Sequence, residues 1–80
     1  MSSSMFKLFR LGCWQVTATG DRIEKTLYMN PQYVAGIEQE QGYTVVYMSF
    51  GTFYTYSAPH VIQEGLNNVA KLNRSIVMWN

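Results

Sequence analysis

The residues able to do chemistry in this chain are few and poorly matched. His60 is the only histidine and Cys13 the only thiol, so the chain lacks the ligand cluster that a zinc site needs. Residues distant in sequence can meet in space, so a Cys13–His60 nucleophilic pair is formally open. No third group to orient the base is identifiable, however, and an apolar-flanked cysteine reads as packing. The carboxylates Asp21, Glu24, Glu38, Glu40 and Glu64 sit in turns or polar contexts. No two of them share a predicted buried face, as acid–base chemistry would want. Gly12, Gly20, Gly36, Gly42 and Gly51 are spaced as turn punctuation, with no phosphate-cradling fingerprint. The expectation is a chain that is not an enzyme and carries neither cofactor nor metal.

The basic residues Lys7, Arg10, Arg22, Lys25, Lys71 and Arg74 fall near both ends of the chain. Converging beside exposed aromatics such as Tyr47 and Phe53, they would suit a nucleotide, because bases stack on aromatic rings while arginines meet phosphates. Arg10, Arg22 and Arg74 are the candidate ligand-binding residues; the alternative is ordinary solubilising charge. The formal net charge of +1 gives no electrostatic case for nucleic acid.

The elements that must position these groups centre on Gly42–Ser57, which reads as a β-hairpin of strands 43–49 and 52–57 turning at Phe50-Gly51. A half-buried strand alternates apolar with polar residues. Here both alternating sets are apolar or aromatic. Val46, Met48, Tyr54 and Tyr56 are assigned to one face, and Val45, Tyr47 and Phe53 to the other. The second set needs cover, so Val45, Tyr47 and Phe53, with Trp79 near the C-terminus, are the candidate interface residues. A closed barrel is the competing expectation, with a helix over one face and Ile76–Trp79 over the other.

Eighty residues make one domain, which buries about 60–65% of the surface its unfolded chain exposes and is marginal when alone. Charged residues are 14% and aromatics 15% of the chain, against about 25% charged in an average domain. So uncharged a surface favours a homo-oligomer. One cysteine excludes an internal disulfide and fits a reducing cytoplasm. No stretch approaches the roughly 18 apolar residues of a membrane span, and the N-terminus has no leader-like apolar run.

Along the chain, residues 1–4 read as a disordered polar tail before a single β-rich domain over 5–80. Phe6–Leu11 permits a strand, and after Gly12 a second runs through Cys13–Thr19 to a turn at Gly20-Asp21. A further strand ends at Asn30-Pro31. Pro31–Gly36 turns into Ile37–Glu40, and Gln41-Gly42 reverses the chain. Ser57 or Ala58 caps a helix over about 58–73 that accepts Pro59 in its first turn. Val61 or Ile62, Leu66, Val69 and Leu72 give it an apolar face. Gly65 costs about 1 kcal/mol there relative to alanine, which points to close packing. Ser75–Asn80 is apolar enough to dock on the domain or a neighbour.

Leu27–Glu38, with its Asn30-Pro31 and Ile37-Glu38, followed by Thr44–Ser57 and a helix, resembles the small FlbD-type proteins found in flagellar gene clusters. Met5–Leu11 is similar too, and Gly12–Lys25 reads as an insertion. LytTR-type DNA-binding domains share part of the pattern. The resemblance implies an SH3-like or partly closed barrel with one C-terminal helix, a scaffold that hosts unrelated functions.

These readings give an α+β fold, a small antiparallel β-meander or SH3-like partly closed barrel of four to five strands with one C-terminal helix. The expected function is protein–protein binding by a cytoplasmic homo-oligomer, acting sterically on a host protein as bacteriophage or mobile-element inhibitors do. The alternatives are sequestration of a nucleotide-like ligand between subunits and nucleic-acid-binding regulation.

Overall fold

Two glycines fix two of the chain's reversals. Gly20 and Gly42 both hold φ of 90°, a conformation that side chains oppose and tight turns demand. The computed structural model describes residues 7–78, and side-chain burial for residues 7–74. Its strands are β1 (Phe9–Val16), β2 (Arg22–Met29), β3 (Val34–Glu40), β4 (Tyr43–Met48) and β5 (Gly51–Thr55), followed by helix α1 (Pro59–Met78). A 3₁₀ turn over Pro31–Tyr33 joins β2 to β3, capped by the Asn30 side chain, which accepts from Gln32 N at 3.1 Å. The fold is an α+β antiparallel meander in the order β2-β1-β5-β4-β3. The expected tail, residues 1–4, lies outside the described residues.

Strands β2 and β3 follow each other in sequence yet form opposite edges of the sheet. A flat five-stranded sheet would set its edges about 19 Å apart. The connection is too short for that, because it includes a 3₁₀ turn rising only about 2 Å per residue. The sheet therefore curls. Its concave face gathers Leu11, Cys13, Met29, Val46, Met48 and Phe53 under Ile62 and Leu66 of α1, with Phe9, Leu27, Val34 and Ile37 packed alongside.

Helix α1 begins where the Ala58 carbonyl accepts from Val61 N (3.1 Å) and Ile62 N (3.2 Å), with Pro59 as its first residue. Ile62 and Leu66 are buried, whereas Val61 and Leu72 stand half-exposed. A Cβ on Gly65 would collide with the edge of the Phe9 ring, which is the close packing its position predicts. Asn73, expected near the helix end, lies inside a helix that runs on to Met78. Its side chain accepts from Lys7 N at 2.7 Å and donates to Lys7 O at 3.2 Å, tying the approach to β1 onto the helix. Trp79 lies outside the described residues, as do the side chains of Ser75–Met78.

Two strand expectations need correction. Gly12 does not break the first strand: β1 runs through it in unbroken register from Phe9 opposite Met29 to Val16 opposite Arg22. The second concerns faces. Strands β4 and β5 are joined by the two residues Ser49 and Phe50, so opposed residues have numbers that sum to an odd value: Val46 faces Phe53 and Val45 faces Tyr54. Even positions on β4 thus share a face with odd positions on β5. Phe53 joins Val46 and Met48 in the core, while Tyr54 shares the convex face with Val45 and Tyr47, and Tyr56 continues it.

Candidate functional site

The convex face carries the aromatics. The turn at Thr17–Asp21 is closed by Thr17 N donating to Asp21 O (2.8 Å) and Gly20 N to Thr17 O (2.9 Å). Its register sets Trp14 opposite Glu24 and Val16 opposite Arg22. On the other side of β1, Trp14 pairs with Tyr54 of β5. Register thus brings together residues about 30–40 positions apart in the chain: Trp14 lies with its ring centroid 4.6 Å from Tyr56, 6.0 Å from Tyr54 and 6.3 Å from Tyr43. Tyr43 and Tyr54 meet edge-on at 6.0 Å, a favoured geometry for rings whose edges are positive and faces negative.

Arg22 caps this group. Its guanidinium carbon stands 4.0 Å from the Trp14 ring centroid and 5.3 Å from that of Tyr56, within the range of cation–π attraction. One Nη donates to the Tyr56 hydroxyl at 2.9 Å, and Nε donates to the Glu24 carboxylate. These hydrogen bonds, the one to Tyr56 first, raise the Arg22 pKa further above its ordinary value, so the cation is permanent. Toward the β3 rim, the Tyr47 hydroxyl donates to Glu38 at 2.6 Å, which raises the Tyr47 pKa above its ordinary value. Glu40 lies opposite Tyr43 on the same rim.

Beside the aromatic group lies a cleft of about 560 Å³, lined among others by Gly12, Arg22, Lys25, Thr55, Tyr56 and Ser57. Gly12 leaves its floor open, since a Cβ there would meet nothing within 4 Å. The cleft exists because β5 leaves β1 after Tyr54. Thr55, buried, donates from its hydroxyl to the Gly12 carbonyl at 2.8 Å, and the same hydroxyl accepts from Ser57 N at 3.2 Å. Thr44, also buried, donates to the Ser57 carbonyl at 2.8 Å. Both threonine side chains stand in for ladder bonds where the chain bends toward α1.

No family model, curated protein or solved structure matches the chain. Among the described residues, no group of three or more His, Cys, Asp or Glu could hold a metal ion, and no helix is long and apolar enough to cross a membrane.

Of the sequence-predicted interface residues, Tyr47 is 39% exposed on the convex face. Val45 shares that face but is 5% exposed, set between Tyr54 on β5 and Glu38 on β3. Phe53, 4% exposed, belongs to the core and cannot meet a partner. The three candidate arginines do not converge. Arg22 lies opposite Val16 and Arg10 opposite Tyr28, at the far ends of the β1–β2 ladder, about 20 Å apart at 3.4 Å per residue. Arg74 is exposed on α1 beside Asn73, which holds Lys7. Sequence reasoning missed Trp14, Tyr43 and the Arg22–Glu24 pair; the available signal was the register that a turn ending in Gly20 imposes on Trp14 and Glu24. Cys13 is buried in the core, and burial pushes its thiol above the ordinary pKa of 9.0.

Proposed function

We propose that this chain is a non-enzymatic binding module that docks a partner protein on the convex face of its sheet. The observation that carries this reading is the aromatic group around Trp14, which lies on the face opposite α1. Tyr43, Tyr47 and Tyr56 are 37%, 39% and 69% exposed. Tyrosine and tryptophan anchor interfaces because each buries a large rigid ring while its polar atom keeps a hydrogen bond. Glu38 and Glu40 on one rim favour a partner surface that flanks an apolar or aromatic anchor with lysine or arginine. Occupying such a surface is enough to act as a steric inhibitor.

A photo-crosslinking residue placed at Tyr56, and separately at Val61 on the exposed side of α1, tests this reading. The expected result is a protein captured from position 56 but not 61, and lost when Tyr43→Glu is added with the circular dichroism unchanged. Equal capture from both positions, or capture indifferent to Tyr43→Glu, overturns it.

A second reading is favoured by one observation: Arg22 and Lys25 line the same cleft as Tyr56, a combination that suits the phosphate and base of a nucleotide. Thermal shifts across a panel of nucleoside phosphates test it. A shift lost in Lys25→Ala supports ligand sequestration, and a flat panel removes it.

A further inference from the structure

The free edge of β2 is the second feature able to recruit a protein. Among the described residues β2 is hydrogen-bonded to β1 alone, through eight residues without a bulge or proline. An edge of that kind leaves a row of backbone donors and acceptors unpaired and is a template for another strand. The opposite edge, β3, is interrupted by a register shift between Val34 and Gly36 and carries Glu38 and Glu40, the usual means of blocking such pairing. The β2 edge has no register shift and carries charges of both signs, Arg22, Glu24 and Lys25, which a second copy can pair rather than repel; its first five residues, Arg22–Thr26, are all exposed, and Ile23 is 46% exposed.

The sequence of this edge is complementary to itself. In Asp21-Arg22-Ile23-Glu24-Lys25 the charges run minus, plus, neutral, minus, plus. Laid antiparallel on a second copy with Ile23 on the two-fold axis, Arg22 meets Glu24 and Asp21 meets Lys25, each twice. Neighbouring registers lose this match: centring on Glu24 or on Lys25 places like charges directly opposite, which is destabilising. The backbone agrees in parity. Asp21 turns both its N–H and its carbonyl toward Thr17, so Arg22 and Glu24, one and three residues on, turn theirs outward. Opposed as Arg22 to Glu24, they would form the hydrogen-bonded pairs on either side of a non-hydrogen-bonded Ile23 pair.

We infer that two copies of this chain pair antiparallel through the β2 edge, centred on Ile23, to form a continuous ten-stranded sheet. The interface is isologous. It engages Arg22 and Glu24 at the margin of the convex face and leaves Tyr43, Tyr47 and Tyr54 clear of the seam; it rests on edge pairing and not on the docking proposed there, and it sets the two Arg22-capped aromatic groups on either side of the seam.

The measurement is solution mass by light scattering on the full chain over a wide concentration range, with circular dichroism as the folding control. The wild type is expected at twice the 9.2 kDa chain mass. Asp21→Lys and Lys25→Asp each bring like charges together across the axis and are expected at the single-chain mass. Mixing these two variants restores complementarity, so the mixture is expected to return to the doubled mass. Ile23→Cys is expected to form a disulfide-linked dimer on mild oxidation, since the native Cys13 is 3% exposed and buried in the core. A monomeric wild type overturns the inference, as do single variants that keep the doubled mass, a mixture that stays monomeric, or an Ile23→Cys chain that does not crosslink.

Discussion

The two faces of this sheet are built from the same strands and solve burial differently. The concave face is aliphatic, apart from its phenylalanines, and is sealed by Ile62 and Leu66 of the helix. The convex face is tyrosine-rich, with Trp14 buried beneath Arg22 and its neighbouring tyrosines left partly in water. An aliphatic side chain gains only by leaving water, at about 25 cal/mol per Å², so the concave face must be covered. A tyrosine can pack its ring and keep its hydroxyl solvated, so the convex face can wait for a partner. The contrast explains how a small domain carries apolar side chains on both faces of a strand.

Breaking the concave face has the larger effect. Ile62 is fully buried, and Ile62→Ala is expected to cost about 2–5 kcal/mol, a large part of the roughly 4–12 kcal/mol typical of a domain this size. Denaturant unfolding measures it, and a loss below 1 kcal/mol would mean that α1 does not seal this face. Gly65→Ala comes next and separates packing from propensity. Alanine should favour an isolated helix by about 1 kcal/mol, yet its Cβ would collide with the Phe9 ring. The expected net result is destabilisation of about 1–3 kcal/mol; a stabilised variant would show that the helix does not approach β1 so closely.

Much of the concave face was legible in the sequence. Val46 and Met48 alternate, Ile62 and Leu66 are four apart, and Gly42 marks its own turn. Gly65 announced a close approach without saying to what. The convex face was harder for a physical reason: a side chain's face depends on its strand's register against a neighbour, and register is a property of the turn. Carrying even and odd positions straight through Ser49-Phe50 exchanges Phe53 with Tyr54, which moves a core residue to the interface and an interface residue to the core. The Arg22–Trp14 contact depends likewise on the Thr17–Asp21 turn, which puts an arginine eight positions along within reach of the indole. The helix end was misplaced because Asn73-Arg74-Ser75 looks like an exit, whereas the Asn73 amide is engaged by Lys7.

Truncation on the convex face should cost function more than fold. Tyr56→Ala removes a ring that is 69% exposed but packs on Trp14 and accepts from Arg22, and should cost about 1 kcal/mol, while abolishing partner capture from a photo-crosslinking residue placed at Tyr47. A large loss of stability would place Tyr56 with the core residues and weaken the contrast between faces. A finer probe is the Cys13 thiol, on the concave side. Burial holds it above 9.0, so an alkylating reagent at pH 8 is expected to label the chain only at the rate of unfolding. The sign follows from linkage: the folded state keeps the proton longer, so this contribution to stability is intact below pH 9 and declines as the pH rises through the folded value. Rapid labelling of the folded chain would mean that the core is open at β1.

The smallest effect expected lies at the rim. The Tyr47 hydroxyl donates to the Glu38 carboxylate, and this bond, the largest cause, raises the Tyr47 pKa above 10.0. The folded state therefore holds the phenolic proton more tightly than the unfolded chain does. The contribution is fully present below pH 10 and is lost as the pH rises through the folded value, because a tyrosinate has no proton to donate and faces a carboxylate. Subtracting the ultraviolet titration of Tyr47→Phe from that of the wild type isolates this one hydroxyl among six tyrosines. Its midpoint is expected above 10, moving down in Glu38→Gln while stability near neutral pH barely changes, since an exposed bond of this kind exchanges readily with water. An ordinary midpoint in both chains would mean that Tyr47 is free to turn away from Glu38, and that the acidic rim stands open to a basic partner without first releasing a tyrosine.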